Sequence, residues 1–286
     1  MTIKNPVEWT GAQFVHAAHA LSSIGDSLHH VQDTIKSPAP AVRKITSADL
    51  IDCLRKGVDD FAAYRTDVIF LGVIYAVAGL IMARLAFGAD MLPLIFPLAS
   101  GFALVGPVAA IGLYEMSRRR EQGMEANYSN AFHVLREPAA GSILVLGVGL
   151  VVIFLLWQLA AWEIYRLTFG SAELTSVGPF LRDVFFTAHG WALIVIGVSV
   201  GFLFAVLSMS ISLVSFPLLI DRDVGLDTAV KTSIRAVREN PVVTAQWGLI
   251  VAAGLVLGSI PLFIGLMITI PVLGHATWHL YRKLVV

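Results

Sequence analysis

The 286-residue sequence is short of charge. Asp, Glu, Lys and Arg make up only 14% of it and hydrophobic residues 57%, where an ordinary soluble domain carries about 25% charged residues. A soluble protein built around one packed core is excluded, because the surplus apolar surface would have no interior to occupy. The same composition excludes disorder over most of the chain. A single cysteine, Cys53, excludes an intrachain disulfide framework. Twenty basic residues balance twenty acidic ones, so no overall basic field directs the chain to nucleic acid. Catalytic signatures are missing as well: there is no P-loop, dinucleotide fingerprint, zincin His-Glu-x-x-His or Cys-x-x-Cys. Gly197-Val198-Ser199-Val200-Gly201 spells a nucleophile elbow. That elbow needs a strand-to-helix turn, whereas these letters lie inside an apolar run, where small residues serve helix packing. No basic segment followed by a short apolar one opens the chain, so the first long apolar run is expected to act as an uncleaved insertion signal.

What the sequence does have is long apolar runs. They are Val68–Phe87, Met91–Leu113, Ala139–Ala161, Trp191–Ile220 and Val242–Leu280. A spanning helix takes about 20 residues, so the last run is too long for one span. Gly258-Ser259-Ile260-Pro261 divides it. The expectation is an all-α polytopic membrane protein with six transmembrane helices. Seventeen of the twenty basic residues then fall on one side; Arg84, Arg166 and Arg182 are the exceptions. The positive-inside bias predicts that both termini are cytoplasmic. No Asp, Glu, Lys or Arg occupies the middle of any span, which argues against an ion-coupled carrier.

The segments before spans one, three and five share a pattern. Leu50, Leu54, Val58 and Phe61 form an i, i+4, i+8, i+11 stripe, as do Met124, Tyr128, Phe132 and Leu135, and Leu226, Val230, Ile234 and Val237. The second and third copies also match at an offset of 102, as in Arg120-Glu121 with Arg222-Asp223. Gly123 and Gly225 precede these stripes, where a turn is needed. The pattern predicts interfacial amphipathic helices and a threefold repeat of amphipathic helix plus transmembrane hairpin. Residues 1–42 read as a separate cytoplasmic piece. A heptad-like seam of Phe14, Leu21, Leu28 and Ile35 ends at Ser37-Pro38-Ala39-Pro40, and could pair with a second copy, a membrane or a partner. Residues 43–286 form the membrane domain.

Candidate sites are few. His275 and His279 lie i, i+4 on span six and share a face, a spacing that suits a metal ion if other helices add ligands. The alternative is an interfacial pair beside Trp278 and Tyr281. No other cofactor is implied. His16 and His19 read as solvated helix positions. Ser208, Ser212 and Ser215 form a polar stripe on span four that could line a cavity with the kink at Pro271, or could serve packing, as could Gly197/Gly201 and Gly254/Gly258. Arg118, Arg119, Arg120, Arg222, Arg282 and Lys283 are candidate contacts for anionic lipid headgroups.

Four blocks carry a family resemblance. They are Asp49-Leu50-Ile51 through Asp59-Asp60-Phe61, Gly101 to Pro107 followed by Ser117-Arg118-Arg119-Arg120-Glu121, Phe216 to Gly225, and Pro271 to Lys283. Together they resemble a bacterial integral-membrane family of unknown function, some of whose members are labelled as candidate cytochrome c oxidase subunits. The resemblance covers residues 43–286 and brings no catalytic residues with it. An oxidase core needs many more spans and several histidines at depth, so the label leaves an accessory or assembly role. The expectation is therefore a non-enzymatic accessory or scaffold subunit, with lipids, a membrane complex or a second copy as partners. The alternative is a passive transporter or a lipid- or small-molecule-binding protein.

Overall fold

The computed structural model describes residues 40–64, 77, 84, 92–124, 139–170, 177–261 and 263–286. The first predicted span, the N-terminal seam with His16 and His19, and most of the second stripe lie outside these residues. Eleven α-helices occupy the described chain: α1 (residues 47–64), α2 (Ile95–Leu104), α3 (Gly106–Ala109), α4 (Ile111–Glu121), α5 (Ala140–Phe169), α6 (Val177–Phe186), α7 (Ala188–Ser212), α8 (Ser215–Asp221), α9 (Leu226–Glu239), α10 (Pro241–Ser259) and α11 (Leu266–Leu284). Among the described residues the only β pairing is an isolated antiparallel bridge between Val42 and Val285.

The apolar runs become helices unevenly. The third becomes α5 whole, 30 residues long, or about 45 Å at the usual rise. The fourth becomes α7 and α8 with a break at Leu213-Val214. The fifth divides into α10 and α11 where Gly and Pro predicted, and Pro241 opens α10 in the first turn, where its missing N–H is harmless. Among the described residues three stretches, Ala140–Phe169, Ala188–Asp221 and Pro241–Ser259, are long and apolar enough to cross a membrane. The second run is broken into Leu92–Leu94, α2, α3 and α4, with Pro93, Pro97 and Pro107 each removing a helical N–H. The Pro97 carbonyl accepts from Ser100 Oγ (3.2 Å), Trp157 Nε1 (3.0 Å) and Gln158 Nε2 (3.1 Å), and the two donors from α5 clamp α2 to that helix.

α11 is the central helix. Its Pro271, Gly274, His275, Ala276, Trp278, Leu280, Tyr281 and Leu284 are buried, and it packs against α4, α8 and α10. Gly254 and Gly258 press α10 onto Thr269, Leu273 and Leu266 of α11. Gly201 abuts Trp157 of α5, whereas Gly197 faces open space. α5, α7 and α10 carry many exposed apolar side chains, among them Leu155, Phe202, Leu203 and Leu249, as expected of surfaces that meet lipid rather than water.

The basic segments converge at one end. Arg43 N–H donates to Leu284 O (2.8 Å), and Val286 N–H to Ala41 O (3.0 Å). Asn240 Oδ1 accepts from Ile45 N–H (2.9 Å) and its amide donates to Arg43 O. Arg222 reaches Val286 O (3.1 Å) and Arg282 reaches Glu121 (3.2 Å). α6 sits at the other end, where Phe180 meets Tyr165 and Phe169 from the end of α5. Gly123 has φ +70° in the turn that ends α4, as a left-handed turn requires, while Gly225 has φ −69° and needs no such freedom.

The stripes are real, but they are not the buried faces. In α1 the buried residues are Leu50, Cys53, Gly57 and Asp60, and Val58 is 50% exposed. In α9 they are the small residues Ala229, Thr232, Ser233 and Ala236, with Leu226, Val230, Ile234 and Val237 half-buried beside them. Both stripes are turned by roughly a quarter of a turn from the buried face, in the same sense.

Candidate functional site: a buried carboxylate–histidine cluster

The backbone brings α1 unusually close to α11. A Cβ on Gly57 would stand 2.7 Å from Val272 O and 2.8 Å from the Ala276 Cβ, so only glycine fits there. One turn further along α1, Asp60 is carried into the gap between α4 and α11, where it is 4% exposed.

Four groups close on this carboxylate. Ser117 Oγ donates to Oδ2 at 2.6 Å and His279 Nε2 meets the same oxygen at 2.9 Å. Arg120 donates to Oδ1 at 2.5 Å. His275 Nδ1 lies 4.0 Å from Oδ2 and 2.8 Å from Ser117 Oγ. A serine has one proton to give. With that proton on Asp60, the Nδ1 of His275 must be the donor to Ser117, and its Nε2 is left buried with no hydrogen-bond partner among the described residues. His279 likewise presents Nε2–H to the carboxylate. Burial pushes the Asp60 carboxyl up, but the bonds from His279 and Ser117, with the neighbouring imidazoles, outweigh it and hold the group below its ordinary value. Asp60 is therefore an anion shared by three helices.

Three further carboxylates repeat the arrangement nearby. Glu115, 2% exposed, takes Arg118 at 2.9 Å and Arg119 at 2.6 Å. Glu121 accepts from Trp278 Nε1 (3.1 Å) and Arg282 (3.2 Å), while Asp221 accepts from Tyr281 Oη (2.7 Å) and Arg282 (3.2 Å). Burial pushes the Cys53 thiol on α1 up to about 11, so it is no nucleophile at neutral pH.

The predicted residues thus stand as follows. His275 and His279 do share a face, and that face is directed at Asp60; among the described residues no group of three His, Cys, Asp or Glu has the arrangement to hold a metal ion. The six candidate lipid contacts all have internal carboxylate partners: Glu115 for Arg118 and Arg119, Asp60 for Arg120, Asp221 for Arg222 and Arg282, and Asp49 and Asp52 for Lys283. Ser208, Ser212 and Ser215 are buried, and each hydroxyl donates to a backbone carbonyl, of Leu104, Ser208 and Ile211 respectively. Pro271 lies buried inside α11.

Residues 95–221 match the family model described as "Predicted integral membrane protein (DUF2189)". Over this segment the chain is similar to a family of predicted integral membrane proteins of unknown function, in keeping with the described helices that are long and apolar enough to cross a membrane. The match runs from the start of α2 to the end of α8. It includes Glu115, Ser117 and Arg120, while Asp60, His275 and His279 come from outside it. No curated protein and no solved structure matches the chain.

Sequence reasoning missed Asp60 and Ser117. Asp60 reads as one more charge on an amphipathic segment, and Ser117 is overshadowed by three arginines. One signal was present: Cys53, Gly57 and Asp60 repeat at i, i+4, i+7, and two small residues in line mark a close helix contact that draws the third inward.

Proposed function

We propose that the chain is a non-enzymatic accessory or scaffold protein of the bacterial inner membrane, multi-pass and with both termini cytoplasmic. Its work is to hold a partner membrane complex, and the resemblance suggests a respiratory one. One observation carries the reading: the centre of the carboxylate–histidine cluster is closed, and only Arg120 and His279 at its rim keep some exposure. Asp60, Ser117 and His275 are 4%, 1% and 0% exposed and use one another as partners. A substrate site needs a reactive atom that a substrate can touch; this cluster instead ties α1 and α4 to α11. The meeting of the basic segments at one end supports the orientation. The burial register supports a repeat. Cys53, Gly57 and Asp60 in α1 align with Ala229, Ser233 and Ala236 in α9, and all six are buried. A passive transporter finds less support, because the hydroxyls that would line its path are already bonded to backbone.

The test is purification of the tagged full chain from its native membranes in mild detergent. A stoichiometric partner complex is expected. Repeated recovery of the bare protein, or turnover of a substrate by the bare protein, would contradict the proposal.

A further inference from the structure

The helical wheel of α1 divides into three sectors. Leu50, Cys53, Gly57 and Asp60 are buried in the protein. Next to them, Leu54, Val58, Ile51 and Ala62 cover an arc of about 80°. Ile51 is 62% exposed and Val58 50%, and Leu54 is half-buried. Beyond that arc the wheel turns polar with Asp59, Asp52 and Lys56. Arg55 stands at the border, four residues after Ile51 and three before Val58, so it lies on the edge of the apolar arc. A helix exposed to water on both free sides would have no reason to keep isoleucine and valine on one of them and Asp52 and Asp59 on the other.

The second observation is electrostatic. The arginines and lysine that pattern alone marks for lipid are held by internal carboxylates. Arg55 and Lys44 are exposed and have no carboxylate partner among the described residues. The third is position. α1 leads within a few residues to the apolar run that begins at Val68, and Gly57 packs level with Val272 and Ala276, inside the last apolar run. The apolar arc is therefore at the height of a bilayer surface. α9 repeats the layout independently: a buried face of small residues, an apolar flank of Leu226, Val230, Ile234 and Val237 on the same rotational side, then Asp227, Lys231 and Arg238.

We propose that α1 rests on the surface of the bilayer that the chain spans, with Ile51, Leu54 and Val58 in the headgroup–acyl boundary and Arg55 and Lys44 on the phosphates of anionic lipid. A long basic side chain at the edge of an apolar arc places its stem in the boundary and its head among the phosphates.

The test uses the full chain in nanodiscs of phosphatidylcholine, with and without phosphatidylglycerol. Val58→Cys or Asp59→Cys carries an environment-sensitive fluorophore; buried Cys53 remains unlabelled, and the unsubstituted chain checks that. Brominated lipid is expected to quench the label at 58 and aqueous iodide the label at 59, with lipid quenching at 58 stronger when phosphatidylglycerol is present. Arg55→Gln should lower the in-to-out equilibrium at 58 about fivefold, the attraction of one basic residue to an anionic surface, and Arg55→Lys should retain it. Iodide quenching at both positions, quenching at 58 by neither agent as under a protein partner, or lipid quenching indifferent to phosphatidylglycerol and to Arg55 would each overturn the proposal.

Discussion

Gly57 shows how one residue positions a site. Because a Cβ there would meet backbone oxygen and the Ala276 methyl at 2.7–2.8 Å, Gly57→Leu must push α1 away from α11. Overpacking of this kind costs about 1–3 kcal/mol. Cys53, 0% exposed and about one helical turn before Gly57, reports the displacement. It is expected to resist maleimide at neutral pH in the native protein and to label in Gly57→Leu. Continued protection of Cys53 in that variant would mean that α1 does not depend on the contact. The Pro97 carbonyl offers a second contrast. Trp157 and Gln158 both donate to it, but Gln158 also buries an unpartnered Oε1. Gln158→Leu should therefore change the unfolding midpoint little, since it removes an orphan oxygen along with one of several donors. Trp157→Leu, which empties a fully packed position, should cost about 3 kcal/mol.

At the scale of elements, much was legible and some was not. The Gly and Pro residues around 258–261 marked the turn between α10 and α11, and the uninterrupted apolar run from 139 became α5, because both signals are local. The fragmentation of the second run was less legible: its three prolines sit among residues as apolar as those of any span, and the side-chain bonds from α5 to the Pro97 carbonyl join residues 60 or 61 positions apart in the sequence. The stripes in α1 and α9 were legible as patterns but not as faces, since periodicity cannot say whether an apolar stripe meets protein or lipid. The clasp between the two ends of the described chain was invisible in sequence, as its partners lie more than two hundred residues apart. Its pH dependence follows from its chemistry. Backbone and hydroxyl bonds from Thr46, with Lys283, hold Asp49 down at about 2. A carboxyl lowered in the folded state adds stability above its ordinary pKa, and that stability is lost as pH falls through the folded value. The clasp should persist at pH 4 and open toward pH 2. A spin-label distance between positions 44 and 286 reads this directly, and Lys283→Ala should weaken the clasp at neutral pH. A distance that changes between pH 7 and pH 5 would point to some other group.

Across the whole molecule, a shortage of charge turns out to be a concentration of it. The acids at the basic end, Asp60, Glu115, Glu121 and Asp221, each take cations or histidines, mostly across helix boundaries. Neutralising one side of a buried, hydrogen-bonded pair leaves the other uncompensated and costs roughly 3 kcal/mol. This is how a bundle whose outer faces are apolar can still fix one arrangement of α1, α4 and α11. That the cluster holds the bundle together, rather than hosting chemistry, is tested most directly by the thermal unfolding midpoint of Asp60→Asn in detergent beside the unsubstituted protein. Asparagine keeps the shape and removes the charge that Arg120 and His279 address. The expected result is a midpoint lower by on the order of 5–10 °C; an unchanged midpoint would contradict it.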